Sequence, residues 1–131
     1  MAQLSDTIDK VKEFHRIFGL PYHEAPEAAL PESVYMLRHR LMAEENDEYL
    51  EACKNADLTE IADALGDKLY ILCGTIVSHG LQHKIEEVFN EIHRSNLSKL
   101  DENDQPLYRE DGKIMKSNRY FKPNIRTILD K

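Results

Sequence analysis

Cysteine, basic charge and long apolar runs are all in short supply in this chain, and each shortage removes a class of function. The only two cysteines among 131 residues are Cys53 and Cys73. They do not form the close pair of a thiolate metal site, and both fall in helical patterns, so they read as ordinary reduced packing residues. No stretch approaches the roughly 18 uninterrupted apolar residues that suggest a membrane-crossing helix. The opening MAQLSDTIDKVKEF has no basic region followed by an apolar one. The expectation is a soluble, cytoplasmic protein with no membrane partner. Basic residues number 17 against 24 acidic, a formal net charge of −7, which argues against nucleic-acid binding through a broadly basic surface. Asn96-Leu97-Ser98 matches a glycosylation sequon, but without a secretion signal the match carries no meaning.

What is present suits one compact domain, 1–131, since 41% hydrophobic residues can build a core at this length but hardly two. No internal repeat, low-complexity run or interdomain linker interrupts it. The charge is uneven: residues 113–131 hold six basic side chains and one acidic, leaving 11 basic and 23 acidic in 1–112. A basic tail beside an acidic body suits a metal-bound polyanion.

The helical periodicity divides the chain further. Ser5 is placed to cap a helix carrying Ile8, Val11, Phe14, Ile17 and Phe18, which Gly19 stops. Pro21, Pro26 and Pro31 break the next stretch, and Pro31 opens a long helix to about Asn55. A third helix is predicted from an Asp57 cap to Ser78, ended by Gly80, and a fourth from about Gln82 to Leu97. Asp101 to Gly112 reads as a polar excursion with room for a small hairpin, and Pro123 precedes a short helix over Asn124 to Leu129. The fold class is therefore all-α: a four-helix core with a partly irregular basic C-terminal tail. Within it, 1–30 form an N-terminal helix and loop, 31–100 the helical core and 101–131 the tail.

The carboxylates carry the chemistry. In the second helix Val34, Leu37, Leu41, Glu45, Glu48 and Ala52 follow at steps of three or four, so two acids continue the core stripe. A buried, uncompensated carboxylate is costly, and a metal ion or partner cation is the usual remedy. In the third helix Leu58, Ile61, Leu65, Leu69, Leu72 and Ile76 form the main apolar stripe, with Glu60, Asp63 and Asp67 nearly opposite. Those acids suit a solvated face. The same side continues into Tyr70, Ile71, Gly74 and Val77, however, so the helix becomes apolar almost all round and belongs at the centre or at a subunit interface. Hard oxygen donors favour Mg²⁺, with Mn²⁺ as the alternative. A di-iron carboxylate bundle wants Glu-x-x-His pairs, and none of the six histidines has Glu three positions before it. An EF-hand over 101–112 fails because Pro106 and Gly112 occupy its required Gly and Glu positions.

Four segments in order, Glu44-Glu45-x-x-Glu48, IADALGDKLYILCGT (61–75), EVFNEIHRSNLSK (87–99) and DGKIMKSNRYFKPNI (111–125), resemble the all-α nucleoside triphosphate pyrophosphohydrolases. That superfamily includes MazG-like proteins, dimeric dUTPases and phosphoribosyl-ATP pyrophosphohydrolases, and the likeness is greatest to its short single-domain MazG-like or phosphoribosyl-ATP-pyrophosphohydrolase-like branch. The resemblance implies metal-dependent hydrolysis of a (deoxy)nucleoside triphosphate at the α-phosphorus, a house-cleaning role, and a homodimer or dimer of dimers. It also implies Mg²⁺ or Mn²⁺ held by Glu45, Glu48, Asp63 and Asp67, with Glu60 as a further donor. The chain departs at Ala64, where many members have Glu, which leaves Asp63, one position earlier, or Glu60, one turn earlier, to supply that ligand. Glu44, next to the ligand pair, is the expected general base. Arg94, Asn96 and Lys99, on the family's H-[RA]-[SA]-N-[LM]-S-K signature, and Lys113 and Lys116 in the tail are expected to contact phosphate. Tyr120 and Phe121 suit packing better than base stacking. The competing class is a non-catalytic nucleotide-binding or structural helical dimer of the same fold, and Ala64 is its best argument.

Overall fold

The computed structural model describes residues 3–131. It is all-α apart from one two-stranded ribbon: α1 Leu4–Phe18, α2 Glu32–Lys54, α3 Leu58–Ser78, α4 Ile85–Leu97, β1 Leu107–Tyr108, β2 Ile114–Met115 and α5 Ile125–Leu129. Its contacts divide the chain into two compact units, one ending at His83 and the other starting at Lys84.

In the first unit α3 packs against both α2 and α1. Only Asn55, Ala56 and Asp57 separate α2 from α3, a connection short enough to make them antiparallel neighbours. Asp57 caps α3 as expected, its carboxylate accepting from the Glu60 N–H at 3.1 Å. The register is fixed at two levels. Lys68 Nζ donates to Asn46 Oδ1 at 2.8 Å, and Arg38, further back along α2, donates Nε to Thr75 Oγ1 at 3.1 Å and Nη2 to the Ile71 carbonyl at 2.8 Å.

The loop from Leu20 to Pro31 is tied to the end of α3. His23 N–H donates to the Val77 carbonyl at 3.0 Å and Glu27 N–H to the His79 carbonyl at 2.8 Å. Gly80 makes this approach possible. It has a positive φ of 67°, and a Cβ there would stand 2.1 Å from the Ala25 carbonyl oxygen.

Several sequence expectations change. The first helix starts at Leu4, with Gln3 rather than Ser5 at its cap, because the Asp6 carboxylate accepts from the Gln3 N–H at 2.9 Å. Its buried face is Ile8, Val11 and His15, while Ile17 and Phe18 are exposed. In α3 the side carrying Ala64, Gly74 and Val77 is buried, whereas Leu58, Leu65, Leu69 and Leu72 are 77%, 49%, 47% and 45% exposed. The leucine stripe thus faces outward, and the side that continues from the acids into Gly74 and Val77 meets the other helices. Cys73 is buried as expected, but Cys53 is exposed and is not a packing residue.

In the second unit α4 begins at Ile85, three residues later than predicted. Leu81 to Lys84 form no part of it; Gln82 is buried and its Nε2 donates to the His23 carbonyl at 2.8 Å, which holds this segment out of helical phase. The ribbon pairs Leu107 with Met115 and Tyr108 with Ile114, so the polar excursion extends past Gly112. Asn124 caps α5 through the Thr127 N–H.

Candidate metal centre

Glu45 and Glu48 stand one turn apart on α2, so their side chains share a face. The antiparallel register brings Asp67 of α3 to the same place. One ligand oxygen from each of Glu45, Glu48 and Asp67 lies within 4.8 Å of the others. Such a separation suits three donors to one cation and is unfavourable for three bare carboxylates. Glu45 shows the consequence. Its Oε2 is buried without a hydrogen-bond partner, and its carboxyl is pushed up to about 7, by burial first, then by a hydrogen bond shared with the Glu48 carboxyl, and then by the Glu48, Asp67 and Asp63 charges around it. An orphaned oxygen in a cluster of like charges fits a missing cation, and the all-oxygen donor set fits a hard divalent one.

The other expected ligands lie near this triad without joining it. Glu60 and Asp63 line a cleft of about 410 Å³ together with Glu48, Glu51, Ala52, Asn55 and Ala64. Ala64 is almost wholly buried at 2% exposure, so the position where the resemblance implies a carboxylate is a small apolar spot on the cleft wall. Glu44 is exposed and meets Arg40 at 4.0 Å; it lines neither the cleft nor the pocket described next.

On the other side of the triad a second pocket, of about 400 Å³, opens between α1, α2 and α3. Glu45 and Asp67 form one wall; Val11, Phe14, Leu41, Tyr70 and Ile71 supply apolar surface, with His15 and Arg38 among them. Phe14 and Tyr70 meet edge to face with centroids 5.6 Å apart. Burial lowers the His15 pKa below the usual histidine range, which favours the neutral ring. Its Nδ1 lies 3.1 Å from the Pro21 carbonyl, and a carbonyl can only accept, so Nδ1 carries the proton. Gly74 is required here: a Cβ would stand 2.5 Å from Arg38 Nη2 and 2.8 Å from His15 Nε2. Sequence reasoning passed over both Arg38 and His15. The available signal was Arg38 four residues after Val34 and three before Leu41, a cation in core phase.

The five expected phosphate contacts all belong to the second unit. Arg94 is committed to a two-pronged pair with Glu91 at 2.9 and 3.2 Å and lies 4.4 Å from the centre of the Phe121 ring. Lys116 lies 4.7 Å from the centre of the Tyr120 ring. Asn96 and Lys113 are exposed and Lys99 is half-buried. None of the three lysines is ion-paired among the described residues. Tyr120 and Phe121 are half-buried, in keeping with the packing role. No helix among the described residues is long and apolar enough to cross a membrane.

A search of curated proteins found no match for this chain. Residues 11–96, which include α2, α3 and the whole carboxylate triad, match the family described as phosphoribosyl-ATP pyrophosphohydrolase. The chain belongs to that family of pyrophosphohydrolases, within the MazG-like all-α nucleoside triphosphate pyrophosphohydrolase superfamily.

Proposed function

We propose that this protein hydrolyses a (deoxy)nucleoside triphosphate at the α-phosphorus with Mg²⁺ or Mn²⁺, clearing unwanted nucleotides from the cellular pool. The observation that carries the reading is the partnerless, buried Glu45 oxygen within the triad. Glu45, Glu48 and Asp67 would hold the ion, with Asp63 and Glu60 on the adjoining cleft wall as further donors. A divalent ion bound there supplies charge neutralisation for the polyphosphate and its leaving pyrophosphate.

The protein's own groups position the reactants. Water adds to the α-phosphorus, the bond to the α–β bridging oxygen breaks, and monophosphate and pyrophosphate result. Glu44 accepts the water's proton. Its only ion pair among the described residues, the exposed one with Arg40, is of a kind worth about 0–1 kcal/mol, so turning the carboxylate toward a water costs little. The nucleoside end occupies the pocket beyond Glu45 and Asp67, where Phe14 and Tyr70 offer aromatic surface. Asn96, Lys99, Lys113 and Lys116, within their own unit, are the candidate phosphate contacts, whereas Arg94 acts mainly in holding α4 to the tail through Glu91 and Phe121.

The exposed leucine stripe of α3 supports a homo-oligomer, a dimer or dimer of dimers, in which a second copy covers Leu65, Leu69 and Leu72.

Product analysis with a panel of nucleoside triphosphates and Mg²⁺ or Mn²⁺ tests the activity, with Glu48→Ala as control. Pyrophosphate plus monophosphate, lost in the variant, is the expected result. Release of orthophosphate alone would overturn it. Binding of metal and nucleotide without turnover would favour a non-catalytic nucleotide-binding module, the reading to which the buried Ala64 lends support.

A further inference from the structure

Arg38 is an unusual side chain to find in the wall of the α1–α2–α3 pocket. It is only 8% exposed, and no carboxylate among the described residues lies within ion-pair distance of it. Two of its three nitrogens are used: Nε on the Thr75 hydroxyl and Nη2 on the Ile71 carbonyl. These bonds anchor the guanidinium across α2 and α3 and fix its plane. Nη1 has no acceptor among the described residues. Nη1 is not sealed from solvent, so a group bound in the pocket can complete its hydrogen bonding in place of water. Among the described residues the pocket offers no other permanent cation, since the one other basic side chain lining it, His15, is held neutral by burial.

The position of Arg38 limits what that completing group can be. Glu45, which joins the triad at the pocket wall, lies seven residues further along α2, about 10 Å along the helix axis. A sugar bridges that kind of span between a nucleobase and its own phosphate. The apolar walls accept the faces of a ring, and the unused Nη1 meets one point on its edge. Guanidinium nitrogens donate only. A base with a carbonyl at pyrimidine C4 or purine C6, as in uracil, thymine or guanine, presents an acceptor if that edge meets Nη1; cytosine and adenine carry an amino group at the same position, a donor facing a donor.

We infer that Arg38 is a specificity-determining residue that selects a keto base over an amino base, through a hydrogen bond from Nη1 to the base carbonyl. The inference rests on the pyrophosphohydrolase reading above and adds the class of base. It sets this chain apart from the substrate in its family's name, which carries adenine.

The test removes the carbonyl from the substrate rather than the arginine from the protein. Pyrophosphate release by the full chain with Mg²⁺ is compared for dUTP and the 2-pyrimidinone deoxyribonucleoside triphosphate, which lacks the 4-carbonyl. A parallel pair is dGTP and the 2-aminopurine deoxyribonucleoside triphosphate, which lacks the 6-carbonyl. For whichever keto nucleotide is the better substrate, kcat/KM should fall at least about tenfold on loss of the carbonyl, the scale of a hydrogen bond to a charged group. In Arg38→Met the two members of that pair should become nearly equal. Equal rates for the pair in the unaltered protein, or a difference that survives in Arg38→Met, would overturn the inference while leaving pyrophosphohydrolase activity standing. If Arg38→Met fails to fold, the substrate pair on the unaltered protein decides alone. Absence of turnover with every nucleotide would instead overturn the underlying reading, and the inference with it.

Discussion

Glu45 concentrates the site's chemistry in a single carboxyl. Folding raises it from 4.5 to about 7, so between those values the folded chain holds a proton that the unfolded chain has lost. For the metal-free protein, stability from this group is therefore greatest below about 4.5 and declines as pH rises through 7. Thermal melts in chelator should show this decline, and Glu45→Gln should flatten it; an unchanged slope would assign the pH dependence elsewhere. A divalent ion takes the deprotonated form, so its affinity should rise across the same window, measurable by titration calorimetry. Ala64 is the complementary position. It lines the cleft with Glu48 and Asp63, and Ala64→Glu should tighten Mn²⁺ binding by about tenfold or more if the added carboxylate reaches the ion. Weaker binding would mean that the wall has no room for it. Glu45 was legible in the sequence because an acid in core phase demands compensation; Glu48, expected on the same buried stripe, is exposed, and only its step of three from Glu45 marks it. The particular partner from α3 was not, because Glu60, Asp63 and Asp67 share a side of the helix and only the tertiary register selects Asp67.

Helices are where sequence reasoning reached furthest, and where its faces needed correction. Asp57, Gly19 and Asn124 acted at the positions their local chemistry dictates. The choice of face in α3 was harder: by hydrophobicity the leucine stripe outweighs the opposite side, yet the inward side uses Ala64, Gly74 and Ser78, small residues that permit close helix approach. Gly74 carries the clearest test of that packing. Gly74→Ala would place a methyl 2.5 Å from Arg38 Nη2, and overpacking of this kind typically costs about 1–3 kcal/mol. Chemical denaturation should report a loss in that range; a stabilised variant would show that the Arg38 contact is softer than described. Gly80→Ala combines a positive φ with backbone contact at Ala25 and should be at least as destabilising, because a carbonyl yields less readily than a side chain. The α4 start was not legible, since the cause is tertiary: the Gln82 amide bonds to the His23 carbonyl, 59 residues away in sequence.

At the scale of the whole molecule, the outward leucines of α3 and its exposed acids, of which Asp67 meets Glu45 and Glu48, belong together. A helix can offer its acid-bearing side to a metal and its apolar side to a second copy of the chain, which accounts for a segment that reads as apolar nearly all round. Leu69→Asp should then shift the protein toward monomer in sedimentation velocity, whereas an unaltered mass would remove the stripe from the interface. All-α character was open to sequence reasoning because it follows from local periodicity. Exposure of one apolar stripe rather than another depends on what the folded chain leaves uncovered. The most direct test of the central claim is triphosphate hydrolysis in ¹⁸O-labelled water with Mg²⁺, followed by mass spectrometry of the products. The account requires label in the nucleoside monophosphate and none in pyrophosphate, with turnover abolished in Glu48→Ala; label in pyrophosphate or orthophosphate, or undiminished turnover in that variant, would contradict it.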